Sequence, residues 1–156
     1  MFKRRSAQIK AMFVPRKLLE QKLVHMLAED IGQGDVTASA IASPDQTTQA
    51  EVIIKAQGIV AGVEEAIVLA EALGLTVKCE ITDGQEVKVG QRLMVLSGNA
   101  RTILTVERTM LNLLSRMSGI ATVTKRLTNK ISQAKLKTRI AATRKTALGF
   151  MYFDKK

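Results

Sequence analysis

The sequence predicts an α+β fold, in which an open antiparallel sheet with helices is followed by a long helix. Three observations support this class. Short segments of alternating polarity, such as residues 48–57, are separated by glycine-containing turns, among them Asp83-Gly84. Apolar residues recur at helical spacing between Pro15 and Gly32. A strongly helical segment then runs from Arg101 to about residue 130.

Length and composition limit the class of protein. A chain of 156 residues holds one domain, or one small domain and part of another, and 46% hydrophobic residues are enough to form a core. Aromatic residues make up 3% and tryptophan is absent, so we do not expect a nucleic-acid surface of stacked rings. No apolar stretch of about eighteen residues occurs, so we expect no membrane span.

The net charge of +10 is unevenly distributed. Residues 125–156 hold ten Lys or Arg and only one acid, residues 1–12 hold four bases and no acid, and residues 13–124 hold ten bases and thirteen acids. Three interpretations remain open at this point: nucleic-acid-binding ends, a pocket for an anionic small molecule, or a fragment whose balancing acids lie elsewhere. We read residues 1–12 as a disordered basic extension, with a nucleic-acid arm as the alternative.

The first helix is predicted to begin at Pro15 and to end at Gly32. Its apolar face is formed by Leu18, Leu19, Leu23, Met26 and Leu27. The acids and glycines that follow, at 29–35, lack the ligand spacing of a calcium loop. We therefore expect Asp35 to cap a short turn beginning at Val36 rather than to bind a metal.

Further strands are predicted at 48–57, 59–61 and 75–81, with a helix at 64–73 that has acids in its first turn. Residues 86–97, interrupted at Gly90-Gln91, are predicted to form a hairpin. Cys79 is the only cysteine, which excludes an internal disulfide, favours a small core residue and makes the cytoplasm the default location. His25 is also alone, which favours a structural role over metal binding.

The long helix carries apolar residues on more than one side, so it needs packing partners on two faces. Gly119 is expected to permit a bend or a junction between two helices. Arg108 follows Glu107 among these apolar positions, and the residues alone favour a surface or intrahelical ion pair there.

A short apolar segment, residues 138–142, is predicted to be a strand buried on both faces. Thr143, Arg144 and Lys145 follow it and are here called the cationic turn. Ligands bind at the carboxyl ends of strands in parallel α/β folds, and Arg and Lys are suited to a carboxylate or phosphate. Most basic pairs in loops are nevertheless solvated surface.

Five blocks of sequence resemble the quinolinate phosphoribosyltransferase family, the decarboxylating nicotinate-nucleotide pyrophosphorylases. They are LAEDIGQGDVT at 27–37, GIVAG at 58–62, ERTMLN at 107–112, SGIAT at 118–122 and TRKT at 143–146. Each block is short, but their order and spacing extend over nearly the whole chain.

The resemblance implies an α+β domain at 13–100, and at 101–156 the start of an α/β barrel whose first strand is 138–142. It implies transfer of a phosphoribosyl group from phosphoribosyl pyrophosphate to quinolinate in NAD biosynthesis, with loss of carbon dioxide and pyrophosphate. Mg²⁺ would enter with the cosubstrate, and its ligands are not expected in this chain. The family also implies a homodimer or higher oligomer.

By the same resemblance, Thr143, Arg144 and Lys145 would bind substrate anions. Arg108 would reach a substrate carboxylate in the partner subunit's site, which replaces the ion-pair reading. Two positions depart from the family: Leu148 stands where proline is usual, and Met151 where a basic residue is common.

A complete barrel needs on the order of 100 or more further residues, so we expect a truncated or split family member that is inactive alone. Two alternatives remain: a related pyrophosphorylase acting on nicotinate or another anion, and a nonenzymatic basic protein that binds nucleic acid. The low aromatic content of 3% argues against the second.

Overall fold

The computed structural model describes residues 14–32 and 40–156. The predicted basic extension at 1–12 and the predicted cap at Asp35 lie outside these residues. Within the described parts, no helix has the length and apolar character needed to cross a bilayer.

Helix α1 (Arg16–Ile31) has the predicted bounds. Pro15 is the residue before it, and its carbonyl oxygen accepts the backbone N–H groups of Leu18 and Leu19 at 2.8 and 3.1 Å. Gly32 ends the helix with a positive φ of 56°. The buried residues, Leu19, Leu23 and Leu27, are spaced by four, as one face of a helix requires. The prediction that Leu18 belongs to this face is wrong, because its side chain is 54% exposed.

Five strands follow: β1 (Thr47–Ile53), β2 (Gly58–Ile59), β3 (Thr76–Cys79), β4 (Glu86–Val87) and β5 (Arg92–Asn99). The main sheet is antiparallel, with β5 between β1 and β3, and Leu96 of β5 lies opposite Ala50 and Val77. The two short strands β2 and β4 form a second antiparallel pair. The open antiparallel sheet with helices is therefore confirmed.

The predicted hairpin at 86–97 is wrong, because β4 pairs with β2 whereas β5 pairs with β1 and β3. The turn at Gly90-Gln91 does not fold one of these strands onto the other. It bonds instead to Ile54, whose carbonyl oxygen accepts from Gly90 N and whose own N–H donates to the Gln91 carbonyl oxygen, both at 2.9 Å.

Helix α2 (Val63–Ala72) and the 34-residue helix α3 (Ala100–Gln133) pack on α1 and the strands. The side chain of Asn99 caps α3 by accepting the N–H of Thr102 at 3.2 Å. The first half of α3 buries one apolar face, formed by Ile103, Val106, Met110, Leu113, Leu114 and Met117. The helix runs through Gly119 as one element, so of the two predicted alternatives, a bend or a junction between two helices, the junction is not formed.

The second half of α3 leaves Ile120, Val123 and Leu127 exposed, at 36%, 53% and 47%. This matches the expectation that the helix has apolar surface for a second partner. The predicted strand at 138–142 is not formed in this structure, where these residues are exposed and form no ladder. A strand needs a hydrogen-bonding neighbour, and no described strand pairs with this segment.

The chain then returns to the core through the short helix α4 (Met151–Lys155), whose Phe153 is 2% exposed. This return brings the cationic turn, which precedes α4, close to the packed part of the fold.

Candidate functional site

The cationic turn lies on the surface between α3 and α4. Thr143, Arg144 and Lys145 are all exposed. The hydroxyl of Thr143 accepts the backbone N–H of Lys145 at 3.1 Å, and the N–H of Thr146 donates to the Arg144 carbonyl oxygen at 3.0 Å. Among the described residues, neither the Arg144 nor the Lys145 side chain forms an ion pair, so both charges face solvent.

Arg108 lies on the first half of α3, beside α1. Its Nη1 atom is 3.9 Å from Oδ1 of Asp30, and its side chain is 73% exposed. The Asp30 carboxylate is held independently by the hydroxyl of Thr109, which donates to Oδ2 at 3.0 Å. The surface ion pair that the residues alone favoured is therefore formed, but its partner is Asp30 on another helix and the contact is long. Most of the Arg108 side chain stays exposed to solvent.

A bidentate ion pair joins α3 to α4. Nε and Nη2 of Arg116 donate to Oδ1 and Oδ2 of Asp154 at 2.7 and 2.9 Å. The hydrogen bond from Arg116 holds the pKa of Asp154 below its ordinary value, so the carboxylate is charged at neutral pH. Asp154 Oδ2 also accepts the backbone N–H of Ala147 at 3.3 Å, two residues beyond Lys145.

A second, more buried cluster fixes the end of α4. Glu65, on α2, is completely buried and accepts the hydroxyl of Tyr152 at 2.8 Å. Lys156 Nζ donates to both carboxylate oxygens of Glu65, at 2.8 and 2.9 Å, and also contacts Glu64 and Asp83. Burial lowers the pKa of Lys156, but its hydrogen bonds to Glu64 and Glu65 outweigh that effect and raise it overall. Burial, followed by the bond to Glu65, raises the pKa of Tyr152 above its ordinary value.

The blocks 58–62 and 118–122 meet in the structure. The Oγ1 atom of Thr122 accepts the N–H of Ile59 at 2.9 Å, and the Oγ atom of Ser118 accepts the N–H of Ala61 at 3.0 Å. The two hydroxyls, four residues apart on α3, thus bind the backbone of β2 and of the segment that follows it. Beside them, a groove of about 830 Å³ opens between β1 and α3, with Glu51, Lys55, Glu107 and Arg126 among its lining residues.

Among residues 14–32 and 40–156, no cluster of three or more His, Cys, Asp or Glu side chains could hold a metal ion. Glu29 pairs with His25 at 3.2 Å, and both side chains are largely exposed. Cys79 is half-buried in β3, and its thiol lies 3.1 Å from the Leu93 carbonyl oxygen. A small packed residue was expected there.

The structure keeps the predicted site residues in two separate groups. No described hydrogen bond or ion pair connects Arg108 with the cationic turn. Sequence reasoning missed the residues that anchor the turn, which are Glu65, Arg116, Tyr152, Asp154 and Lys156. Their only signals were weak: Glu65 lies in the first turn of a helix, where acids are common, and Tyr152 is the single tyrosine.

Comparison with known proteins gives one family. The model for the N-terminal domain of quinolinate phosphoribosyl transferase matches residues 35–118. A probable nicotinate-nucleotide pyrophosphorylase of Methanothermobacter thermautotrophicus is 38% identical over 130 residues, which are 83% of this chain and 47% of that protein. The mitochondrial quinolinate phosphoribosyltransferase 2 of Nicotiana glauca is 36% identical over 153 residues, 96% of this chain and 42% of that protein.

Solved structures agree. The nicotinate-nucleotide pyrophosphorylase from Francisella tularensis superposes with a TM-score of 0.74 and 38% identity, and the match covers 88% of this chain and 49% of that one. The chain therefore spans about half the length of the relatives it matches.

Proposed function

Since this chain belongs to the quinolinate phosphoribosyl transferase family, we propose that it forms the N-terminal part of an enzyme of NAD biosynthesis. The reaction transfers a phosphoribosyl group from phosphoribosyl pyrophosphate to the ring nitrogen of quinolinate. It releases pyrophosphate and carbon dioxide and yields nicotinate mononucleotide. The names of the relatives, nicotinate-nucleotide pyrophosphorylase and quinolinate phosphoribosyltransferase, support this choice of reaction.

The observation that carries the proposal is the cationic turn. Arg144 and Lys145 are adjacent and exposed, and neither side chain is neutralised by a described carboxylate. Quinolinate brings two carboxylates and the cosubstrate several phosphate charges, which a guanidinium fork and an ammonium group bind well. Arg144 and Lys145 orient and stabilise these anions, and the Thr143 hydroxyl supports the turn.

Arg108 takes a second positioning role in the proposal. Its exposed guanidinium reaches a substrate carboxylate in the site of a partner subunit, so the enzyme is a homodimer or a higher oligomer. Its exposure and the long distance to Asp30 support this role, because a firmly paired arginine would not be available to a ligand.

The proposal includes Mg²⁺, which would enter the site with phosphoribosyl pyrophosphate. The described residues offer no metal cluster, so we assign the ion's protein ligands to the part of the relatives that this chain does not span. No step of the reaction is assigned to the ion.

Residues 101–156 are proposed to begin the α/β barrel, with 138–142 becoming its first strand when further strands are present. The exposed apolar residues on the second half of α3 support a missing packing layer. On this view the 156-residue chain makes no nicotinate mononucleotide by itself. The reducing cytoplasm expected from the single cysteine is proposed as its location.

The test compares the 156-residue chain with a chimera that continues it with the remainder of the Methanothermobacter relative. Only the chimera is expected to form nicotinate mononucleotide, and Arg144→Ala is expected to lower its kcat/KM by about 10- to 100-fold, the effect of one charge-assisted hydrogen bond. Glu51→Gln, in a surface pair with Arg92, is the control. Product formation by the short chain would overturn its assigned inactivity, and a fully active Arg144→Ala chimera would overturn the role of the turn.

The same chimera separates the alternatives. Turnover of nicotinate in preference to quinolinate would favour the related pyrophosphorylase. Tight nucleic-acid binding that falls steeply with salt and is lost on deleting 1–12 and 125–137 would favour a nonenzymatic protein.

A further inference from the structure

The cationic turn has few internal hydrogen bonds, so its orientation must be set by contacts with residues outside the turn. Its internal contacts are the Thr143–Lys145 bond at 3.1 Å and the Arg144–Thr146 bond at 3.0 Å. A turn from Ala147 to Phe150 follows directly, closed by a 3.0 Å hydrogen bond. Two of these bonds lie within 143–146 and the third within 147–150, and Thr146 and Ala147 are joined by their peptide bond. Because Ala147 is the next residue after Thr146, a contact that fixes Ala147 limits the orientations open to Arg144 and Lys145.

Asp154 contacts this segment at Ala147. Its Oδ2 atom accepts both the Ala147 N–H, at 3.3 Å, and Nη2 of Arg116, at 2.9 Å. One carboxylate thus connects the segment after the cationic turn to α3, the longest helix of the described residues. The Asp154 side chain is only 8% exposed although that of Arg116 is 40% exposed, and a two-point contact of this kind is stronger than a single-point surface pair.

The helix that carries Asp154 is itself anchored. Five residues are too few for a stable isolated helix, so α4 depends on tertiary contacts. Phe153 is buried with the ammonium group of Lys22 4.9 Å from its ring centre, and Arg116 lies 5.0 Å from the ring centre of Phe150. The Glu65 cluster holds the other end of α4 through Tyr152. Asp154 is thereby fixed relative to α2 and α3.

We propose that Asp154 and Arg116 are positioning residues that aim the cationic turn at its anionic ligand. The ligand part of this inference rests on the function proposed above. The geometric part is independent of it. Removing the bidentate pair should release the turn while the first half of α3 stays packed, since that half has its own buried face.

The experiment uses the 156-residue chain, with ¹⁵N relaxation measured well below the melting temperature and inorganic pyrophosphate as the probe. In the unmodified chain we expect amide order parameters of about 0.8 or more at 144–147. In Asp154→Asn they should fall to about 0.6 or less at the same residues, without change at 103–114. Arg116→Lys keeps the charge but loses the two-point contact and should give the same loosening. Glu51→Gln is the matched control, since it breaks an arginine–carboxylate pair far from the turn in sequence.

Pyrophosphate titration then distinguishes positioning from a purely structural role. Asp154→Asn should weaken pyrophosphate binding about 3-fold or more, and it should have no further effect when Arg144→Ala is already present. Additive losses would overturn positioning through Arg144, and unchanged order parameters in Asp154→Asn would overturn the inference altogether. If Asp154→Asn loosens the turn but Arg144→Ala leaves pyrophosphate affinity unchanged, the geometric part stands and the proposed ligand role of the turn fails.

Discussion

The Oγ1 atom of Thr122 lies 2.9 Å from the backbone nitrogen of Ile59, where a neighbouring strand would otherwise supply an acceptor. The contact is possible because residue 58 is glycine. A Cβ atom placed on Gly58 would be 2.5 Å from the same Oγ1 atom. The hydrogen bond and the glycine are therefore two parts of one requirement: close approach between β2 and the middle of α3.

Gly58→Ala is expected to reduce the free energy of unfolding by about 1–3 kcal/mol, because the new methyl displaces the Thr122 hydroxyl and leaves the Ile59 N–H without its acceptor. Urea denaturation measures the change. In a Thr122→Ala background the same substitution should cost much less, since the clashing atoms are gone.

Gly119→Ala is the matched control. A methyl group added at Gly119 would meet no atom within 4 Å among the described residues outside the helix's own backbone, and it should stabilise the helix by about 0.5–1 kcal/mol. Equal costs at positions 58 and 119 would contradict the argument.

The departure at position 148 can be tested directly. Ala147 and Phe150 close a turn in which Gly149 has a positive φ of 78°, and Leu148 occupies the second position, where proline is favoured in such turns. Leu148 is 99% exposed, so nothing is lost by shortening its side chain. Leu148→Pro should stabilise the chain by about 0.4–1 kcal/mol through the unfolded state and raise Tm by about 1–4 °C. Leu148→Ala should change little, and a proline variant less stable than the alanine variant would show a different turn.

The sequence was sufficient for features that repeat locally. Apolar spacing located α1, whose buried Leu19, Leu23 and Leu27 follow the helical period, and it located α3. The hairpin prediction at 86–97 was wrong because a Gly-Gln turn between two apolar segments has the same local pattern whether the strands pair with each other or not. Here the turn bonds to Ile54, which local pattern could not reveal.

The candidate site likewise has residues that the sequence makes visible and residues that it does not. Arg144 and Lys145 are adjacent in the chain, so their combined charge is visible in the sequence. Their anchors are not: Arg116 and Asp154 are 38 residues apart, and Glu65 and Tyr152 are 87 apart. An exposed acid and a buried acid look alike in a sequence, and only packing decides which is which. The role of each site residue stays a prediction until the chimera is assayed.

Tyr152 should ionise at a higher pH in the folded chain than in the unfolded chain. Burial and the hydrogen bond to Glu65 both favour the neutral phenol, so the pKa of Tyr152 is raised above its unfolded value of about 10. The folded state then holds a proton that the unfolded state has lost. Stability therefore falls as pH rises above about 10.

The chain has one tyrosine and no tryptophan, so ultraviolet titration of the phenolate observes Tyr152 alone. The folded chain should titrate later than the urea-unfolded chain. Glu65→Gln should move the folded value back toward that of the unfolded chain, and Tyr152→Phe should reduce the loss of stability above about pH 10. Coincident titration curves for the folded and unfolded chains would show that the hydroxyl is not held by Glu65.

The contribution of Asp154 to folding stability is lost at low pH, whereas that of Tyr152 is lost at high pH. The hydrogen bonds from Arg116 hold the pKa of Asp154 below the ordinary value, so the unfolded state binds a proton first as pH falls. The contribution of this pair to stability is complete above about pH 4 and is lost below it. Urea midpoints measured from about pH 6 to about pH 3 should fall less steeply for Asp154→Asn than for the unmodified chain. Parallel curves would contradict the contact.

Substitutions at Arg108 and at Asp30 are expected to rank in one order for their effect on stability and in the opposite order for their effect on activity. The pair is 3.9 Å apart and Arg108 is 73% exposed, so Arg108→Gln should change the free energy of unfolding by less than about 1 kcal/mol. Asp30→Ala should cost more, about 1–3 kcal/mol, because Thr109 is only 7% exposed and its hydroxyl would lose its acceptor. Asp30→Asn retains an oxygen for Thr109 and serves as the control.

In the chimera the order should reverse: Arg108→Gln should lower kcat/KM by about 10- to 100-fold while Asp30→Asn stays near the unmodified value. An Arg108→Gln chimera with full activity and reduced stability would instead make Arg108 a structural residue of the α1–α3 contact.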